Sequence, residues 1–180
     1  MSFDLSDTIM ELVNRQDYLN TMTLACPTWE LRYSDTNELY LRRFVLAGLD
    51  CLENHDETCK YHVFLHEIMM PDGDRAPHNH PWRQSTTLIL SGGYEEIRPK
   101  WDNTYTTMRD VLYCHREGDI SNFQAFDYHR ITRVLPGTKT LFIASAEEAR
   151  GWGFLVDGKH VDHKEYFAAG QNKMQTVRVR

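Results

Sequence analysis

Long apolar runs and paired cysteines are both missing from this 180-residue sequence. No segment approaches the roughly 18 apolar residues of a membrane span, and the N-terminus alternates apolar with charged residues, so we expect a cytoplasmic protein with no membrane partner. The four cysteines, Cys26, Cys51, Cys59 and Cys114, form no C-x-x-C pair. They are therefore predicted to be reduced thiols, and a thiolate zinc site is disfavoured.

Runs of basic residues are missing as well. The formal net charge is −6, and the adjacent Arg42 and Arg43 are interpreted as surface residues, so nucleic acid is not expected as a partner. The hydrophobic fraction of 41% and the charged fraction of 26% are those of an ordinary globular protein. The length predicts a single domain over residues 1–180.

Two hydrophobic periodicities divide the chain. Apolar residues recur at helical spacing between Asp4 and Met22, which predicts an amphipathic N-terminal helix within residues 1–25. Beyond Pro27, short segments alternate with period two and are separated by Gly, Pro, Asp and Asn. The predicted strands cover 29–33, 38–45, 61–70, 85–90, 94–98, 105–113, 128–134, 140–144 and 152–156. Without a βαβ rhythm, this pattern predicts an all-β protein, an antiparallel sandwich or barrel.

Three histidines are the candidate metal ligands. His78 and His80 are one residue apart, so in an extended segment both imidazoles point to the same side. Neutral imidazole is a good ligand for Fe, Zn, Ni or Cu. A third ligand has to come from a neighbouring strand, and His129 is the best candidate because it lies in a strand-like run between two turns.

Through these histidines and the glycines around them, the sequence resembles the cupin superfamily. Gly73, His78, His80 and Gly92 fit the first cupin motif, and Gly118, His129 and the following Pro-Gly turn fit the second more loosely. The match covers about residues 60–145. The phrases HNHPW, LSGGYEE, YHRI, LPGTKTLFI and RGWGF also look like a bacterial and phage group of small cupins. The resemblance implies a cupin-type antiparallel barrel or jelly roll, and a dimer formed through exposed sheet edges.

The glutamate that usually completes the cupin ligand set is replaced here by Ser85, or by Gln84 if the gap is shorter. A divalent ion held by neutral imidazoles keeps an uncompensated charge and favours an anionic chelating ligand. The arrangement resembles three-histidine iron cupins, which include thiol dioxygenases. We therefore expect one metal, Fe(II) ahead of Zn, Ni, Mn or Cu. The expected function is a dioxygenase or oxygenase that uses O₂ on a small anionic thiol, amino acid or keto acid.

Residues around the metal site are assigned by strand alternation and proximity. Ser85 should face inward, where it is either a hydroxyl of the barrel wall or a substrate contact, and Ser85 and Tyr128 are the catalytic candidates. Asp127 either faces the cavity and orients an imidazole or forms a turn. His66, on the strand upstream, is either a hydrogen-bonded core histidine, which is favoured, or a second supporting residue of the cavity.

Substrate-binding residues are harder to choose. A guanidinium binds a carboxylate through two hydrogen bonds, so Arg83 and Arg98 are candidates, with Arg75 and Arg133 as further options. Trp152 is a candidate for the pocket wall near the barrel mouth.

Two other functions remain open from the sequence. One is a redox-inert isomerase, epimerase or lyase, in which Zn or Ni acts as a Lewis acid and a Tyr or His acts as a base. The other is a non-catalytic cupin that only binds a metabolite. The His160-x-x-His163 pair has no partner ligand nearby and is interpreted as structural.

Overall fold

The computed structural model describes residues 26–49, 59–102, 104, 107–170 and 174–179. The predicted helix over residues 1–25 lies outside this range. Within it, the chain is mostly β-strand, and none of the described helices is long and apolar enough to cross a membrane.

The described elements are thirteen strands and one short helix. The strands are β1 (Thr28–Tyr33), β2 (Leu39–Ala47), β3 (Tyr61–Ile68), β4 (His78–Asn79), β5 (Gln84–Ser91), β6 (Gly93–Trp101), β7 (Met108–Arg116), β8 (Ile120–Gln124), β9 (Tyr128–Val134), β10 (Lys139–Ser145), β11 (Gly153–Val156), β12 (Lys159–Asp162) and β13 (Met174–Arg178). The helix is α1 (His163–Ala168).

The strands form two antiparallel sheets. One has seven strands in the order β13-β1-β2-β3-β10-β5-β8, and the other has six in the order β12-β11-β4-β9-β6-β7. The predicted all-β antiparallel fold is confirmed, and the two sheets correspond to the jelly roll implied by the cupin resemblance. Strands β4, β8, β12 and β13 were not predicted, because they are short or lack a clear apolar alternation.

Strand β3 illustrates how the predicted pattern becomes structure. His62, Phe64, His66 and Ile68 occupy alternate positions and are all buried. β3 pairs with β2 on one side and β10 on the other, so it lies inside the seven-stranded sheet. Its inner face therefore contributes both apolar core residues and histidines to the space between the sheets.

The Gly92-Gly93 turn joins the sheets through β5 and β6. Gly92 has a φ of +69° and Gly93 a φ of +150°. A Cβ on Gly93 would lie 2.3 Å from the carbonyl oxygen of His115, so a larger residue would displace β7. Glycine here allows β6 to leave one sheet and enter the other, which brings Glu96 to His129 at the predicted metal site.

The main apolar cluster lies between the sheets and contains residues from both. Its buried members are Tyr33, Tyr40, Leu41, Ile68, Ile89, Tyr94 and Ile131. A second cluster surrounds Phe64 and Phe142 and includes the partly buried Trp82. A cavity remains between these clusters, and the predicted histidines border it.

The cysteines only partly follow the prediction. Cys26 and Cys114 are free thiols, but Cys59 is disulfide-bonded, so the prediction of reduced cysteines is wrong at this position. The absence of C-x-x-C spacing could not indicate this bond, because a disulfide depends on which Cα atoms the fold brings close.

Candidate metal centre

The short strand β4 positions the first two histidines. His78 pairs with His129 of β9 on one side and with Phe154 of β11 on the other. Asn79, between the two histidines, is fully buried, and both ends of its amide hydrogen-bond backbone groups of neighbouring segments. Because side chains alternate along a strand, Asn79 anchors β4 from behind while His78 and His80 face the cavity.

The three predicted histidines converge on one point. The Nε2 atoms of His80 and His129 are 3.0 Å apart. The ring centroid of His78 lies 5.6 Å from that of His80 and 4.6 Å from that of His129. One ligand nitrogen from each ring lies within 4.8 Å of the other two, and this is the only such group found among the described residues.

Acidic residues lie beside the outer nitrogens of two of the three histidines. His129 Nδ1 lies within hydrogen-bond distance of Glu96 Oε2, at 2.6 Å, whereas His78 Nδ1 lies 3.7 Å from Asp72 Oδ2, which is a charge contact beyond hydrogen-bond distance. A carboxylate hydrogen-bonded at Nδ1 orients the ring and leaves Nε2 available for a metal. Glu96 supports His129 in this way, so the residues present fit a bound divalent ion.

Glu96 is the centre of a buried ionic cluster on β6. It is 0% exposed, and its Oε1 lies 2.8 Å from His115 Nε2 and accepts a hydrogen bond from Arg98 Nε at 2.7 Å. Burial alone would raise the pKa of Glu96, but the hydrogen bonds with His115 and His129 and the electrostatic interactions with His129 and Arg98 outweigh it and hold that pKa well below its usual range. Glu96 is therefore a carboxylate at every ordinary pH.

Burial keeps the imidazoles of His78 and His80 neutral. Desolvation lowers the pKa of His78 to about 4, although the nearby Asp72 opposes this shift. Desolvation, together with the neighbouring His129 and His78, lowers the pKa of His80 well below its usual value. Neutral imidazoles keep a free lone pair, so these rings can bind a metal near neutral pH without first losing a proton.

A cavity of about 310 Å³ opens beside the three histidines, and both sheets line it. Facing the histidines, three polar residues form a row across the seven-stranded sheet: Arg43 on β2, His66 on β3 and Thr140 on β10. The Oγ1 atom of Thr140 is buried without a hydrogen-bond partner. The wall opposite the candidate metal site is therefore polar and in part unsatisfied.

Arg43 lies on this wall without a carboxylate partner among the described residues. Its Nε donates to His66 Nε2 at 3.0 Å, and its guanidinium lies 4.8 Å from the ring centroid of Phe64. Burial lowers the pKa of Arg43 to about 10, so it is still charged near neutral pH. The interpretation of Arg43 as a surface residue is wrong, whereas Arg42, its neighbour, does form ion pairs with glutamates near the surface.

Of the predicted substrate-binding residues, only Trp152 lines the cavity. Its ring stacks on His163 with a centroid distance of 4.7 Å. Arg83 is exposed and pairs with Glu147. Arg98 is buried, but its guanidinium donates to Glu96, so neither arginine lines the cavity.

Neither catalytic candidate lines the cavity. Ser85 is 3% exposed and shares its strand face with Thr87, which does line the cavity, so Ser85 faces inward as predicted, and its Oγ has no hydrogen-bond partner among the described residues. The hydroxyl of Tyr128 lies 2.8 Å from His160 Nδ1. Because Tyr128 precedes His129 on the same strand, alternation directs the two side chains to opposite faces.

The predicted supporting residues need one correction. Asp127 Oδ2 accepts the backbone amide of Gln124 at 2.9 Å and closes its own turn, so the carboxylate that orients His129 is Glu96. His66 lines the same cavity, but its hydrogen bond is to Arg43 and not to a metal-facing histidine. One signal could have identified Glu96: on the predicted strand 94–98, an acid and a base at alternate positions share one face.

Comparisons with known proteins do not assign a family. No protein family model matches the chain, and no curated protein matches it. Similar solved structures include the polyketide cyclase RemF from Streptomyces resistomycificus, with 14% identity, a TM-score of 0.44 and coverage of 72% of this chain and 78% of that one. A cupin-2 domain from Rhodospirillum rubrum has 13% identity, a TM-score of 0.44 and coverage of 65% and 66%.

A third similar structure is Fe(II)-HppE with the alternative substrate (S)-1-HPP, with 13% identity, a TM-score of 0.39 and coverage of 61% of this chain and 51% of that one. The names of the three structures cover a cyclase, a cupin domain and an iron protein. At these identities and TM-scores they carry no argument about the reaction of this chain, so its function has to be argued from the site.

Proposed function

We propose that this chain is a mononuclear metal enzyme in which His78, His80 and His129 bind a divalent ion, Fe(II) in the first instance. Its reaction is the O₂-dependent oxidation of a small anionic substrate. One observation carries the proposal: three imidazoles meet at a cavity whose opposite wall holds Arg43, a cation without a carboxylate partner among the described residues.

The donor set supports an anionic substrate. Three imidazoles bring no negative charge, so the charge of a divalent ion would remain uncompensated, and an anionic chelating group would neutralise part of it. When bound, Fe(II) would supply a redox-active Lewis acid. Arg43 adds a positive charge on the opposite wall, so a small molecule with an anionic group at each end would be stabilised at one end by the metal and at the other by Arg43.

The protein's own residues bind, orient and exclude water. Arg43 can bind a carboxylate through the guanidinium nitrogens that its contact with His66 leaves free. The aromatic residues Trp82, Phe142 and Phe154 line the cavity and keep water from its apolar parts. Glu96 contacts His129 at the nitrogen away from the cavity, so this ligand needs little rearrangement on metal binding.

A redox-inert reaction is the second candidate, and Asp74 favours it. Asp74 lines the same cavity, and burial together with the nearby Asp72 raises the pKa of its carboxyl group to about 7. A group that titrates near neutral pH is suited to general acid–base catalysis. With Zn or Ni as the Lewis acid, such a site would support an isomerase, epimerase or lyase.

Metal analysis and oxygen consumption separate the two candidates. Protein purified anaerobically should contain about one iron per chain, and an oxygen-electrode screen of thiols, amino acids and keto acids should find substrate-dependent uptake. Activity without oxygen in zinc-reconstituted protein would favour the redox-inert reaction instead. In His129→Ala the metal content should fall to near zero, and a content near one in that variant would show that the third ligand is misassigned.

Arg43 is tested with the substrate that the screen identifies. Arg43→Met should raise KM by about tenfold or more, because a charge-assisted contact to the substrate is lost. Arg109→Met, which removes an exposed arginine on β7, is the matched control and should leave KM unchanged. An unchanged KM in Arg43→Met would place the substrate anion elsewhere.

A further inference from the structure

Asp74 lies in the loop between β3 and β4, and the backbone on both sides of its side chain is fixed. The Gly73 amide donates to the Tyr33 hydroxyl at 2.6 Å, and the carbonyl of Asp74 accepts a hydrogen bond from Arg130 at 3.3 Å. A Cβ on Gly73 would lie 2.7 Å from the Tyr33 ring, so the loop is packed tightly against that residue. The position of Asp74 is therefore imposed by the fold.

The carboxyl group of Asp74 is nevertheless unpaired. Asp74 is 5% exposed and lines the cavity. Its Oδ1 is buried, and neither carboxyl oxygen has a hydrogen-bond partner among the described residues. A buried polar group without a partner costs free energy, so a retained one needs an explanation such as a missing ligand.

Asp72, two residues earlier in the same loop, shows what a satisfied acid looks like here. Its Oδ1 accepts a hydrogen bond from the Tyr40 hydroxyl, and its Oδ2 accepts the Ile131 amide at 2.7 Å. Both acids line the cavity, but each oxygen of Asp72 accepts a hydrogen bond from the protein, whereas the buried Oδ1 of Asp74 accepts none from the described residues. Of the two, Asp74 has the larger unused hydrogen-bonding capacity for a ligand.

The cavity therefore presents two groups that can carry opposite charges, the carboxyl group of Asp74 and the guanidinium of Arg43, and they form no ion pair with each other. Building on the proposed function, in which Arg43 binds the substrate anion, we propose that Asp74 binds a protonated amine of the same molecule. The substrate is then a small zwitterion such as an amino acid. An ammonium group carries three N–H donors, enough to satisfy both free oxygens of Asp74.

Equilibrium binding to zinc-loaded protein tests this assignment without any turnover. Three pairs of probes differ by one amine each: L-glutamate and glutarate, L-aspartate and succinate, and L-serine and 3-hydroxypropionate. In calorimetric titrations near pH 7.5, at least one amino compound should bind about tenfold or more tightly than its partner, as expected for a hydrogen-bonded charge pair. The preference should persist in metal-free protein, because Asp74 does not depend on the metal.

Asp74→Asn should remove the preference, so that the two members of the pair bind within about threefold of each other. The affinity for the compound without the amine should change little. Asp110→Asn, at an exposed aspartate on β7, is the matched control and should keep the preference. Zinc content near one per chain in each variant verifies that the histidine site is intact, and Asp74→Ser serves as a second variant if Asp74→Asn does not fold.

Three results would overturn the assignment: no preference in any pair, no binding of any probe, or a preference that survives in Asp74→Asn. The last result would place the amine on the metal or on another group. Failure of the oxygenase proposal is distinguishable, because amine recognition is read from binding and the oxidation is read from O₂ uptake.

Discussion

Glu96 and Asp74 are both buried carboxyl groups near the candidate metal site, yet the protein treats them in opposite ways. Glu96, behind His129, is 0% exposed and has contacts with His115, His129 and Arg98. Asp74, on the cavity side, is 5% exposed and has no partner for its carboxyl group among the described residues. Because both carboxyl groups are buried, the difference between them is in their hydrogen-bond and charged partners and not in their exposure to solvent.

Glu96 has the properties of a structural charge, and Asp74 has those of a group that binds a ligand. At Glu96 the hydrogen bonds and positive neighbours outweigh desolvation and hold the pKa low, whereas at Asp74 desolvation and Asp72 raise the pKa to about 7. Desolvation of a charge is costly unless it is paired. The cost of desolvation is compensated at Glu96, as expected for a residue that supports the site. It is not compensated at Asp74, as expected for a residue that binds a ligand.

The largest effect is expected from removing the paired acid. Glu96→Ala leaves Arg98, His115 and His129 without their shared acceptor, so the free energy of unfolding of metal-free protein should fall by about 3–5 kcal/mol, as for a broken buried ion pair. Urea denaturation followed by tryptophan fluorescence measures it. Glu95→Ala is the neighbouring control, because Glu95 pairs only with the exposed Arg133, and it should cost less than about 1 kcal/mol. Equal losses in the two variants would refute the distinction.

Asp74→Asn should stabilise the metal-free protein, and more so as the pH rises. The unfolded carboxyl ionises near pH 3.8, but the folded one stays protonated until about pH 7, so ionisation progressively favours unfolding between these values. Asparagine does not ionise, and above about pH 7 the gain should approach, at most, about 4 kcal/mol, since each pH unit contributes about 1.4 kcal/mol.

Urea denaturation of Asp74→Asn and the parent protein at several pH values between about 4 and 8 measures this gain. Asp110→Asn should show a flat difference over the same range. A gain that does not depend on pH, or a loss of stability at high pH, would contradict an unpaired ionised Asp74.

The sequence predicted the metal-facing side of the site because that information is local. Alternation in an extended segment was enough to place His78 and His80 on one side, and the turn signals around His129 were enough to place it on a strand. The two-sheet antiparallel fold was predicted for the same reason: period-two alternation and turn residues are properties of short windows. Strand β4, with only two residues, has too little sequence to carry such a pattern.

The supporting and substrate-facing residues depend on pairing between distant strands. Arg43 faces the cavity because β2 lies beside β3, and Glu96 reaches His129 because β6 lies beside β9. The alternation of acid and base on strand 94–98 marks Glu96 as a candidate, but no periodicity within either segment shows which strand lies beside it. The sequence therefore favoured Arg83 and Arg98 for the substrate, both of which have carboxylate partners of their own in the fold.

Glu96→Gln tests the orienting role with less damage than alanine. Glutamine keeps an acceptor for the His129 Nδ1–H group but removes the charge, so zinc affinity should fall by about 10- to 100-fold, the usual range for losing a carboxylate behind a metal-binding histidine. Competition with a chromogenic chelator measures the affinity. Glu95→Gln should stay within about threefold of the parent, and an equally unaffected Glu96→Gln would mean that the carboxylate supports the fold alone.

The smallest effect on stability is expected at Arg43, the cation that matches Asp74 in lacking a charged partner. Arg43→Met removes one hydrogen bond to His66 but also relieves the desolvation that lowers the Arg43 pKa, so the free energy of unfolding should change by less than about 1 kcal/mol. Arg98→Met, by contrast, breaks the contact with Glu96 and should cost about 3 kcal/mol or more. Urea denaturation of both metal-free variants measures the free energy of unfolding for two arginines that differ mainly in whether they form an ion pair with a carboxylate. A similar large loss in both would mean that Arg43 is held by interactions within the protein, and it would remove the reason to expect a substrate anion there.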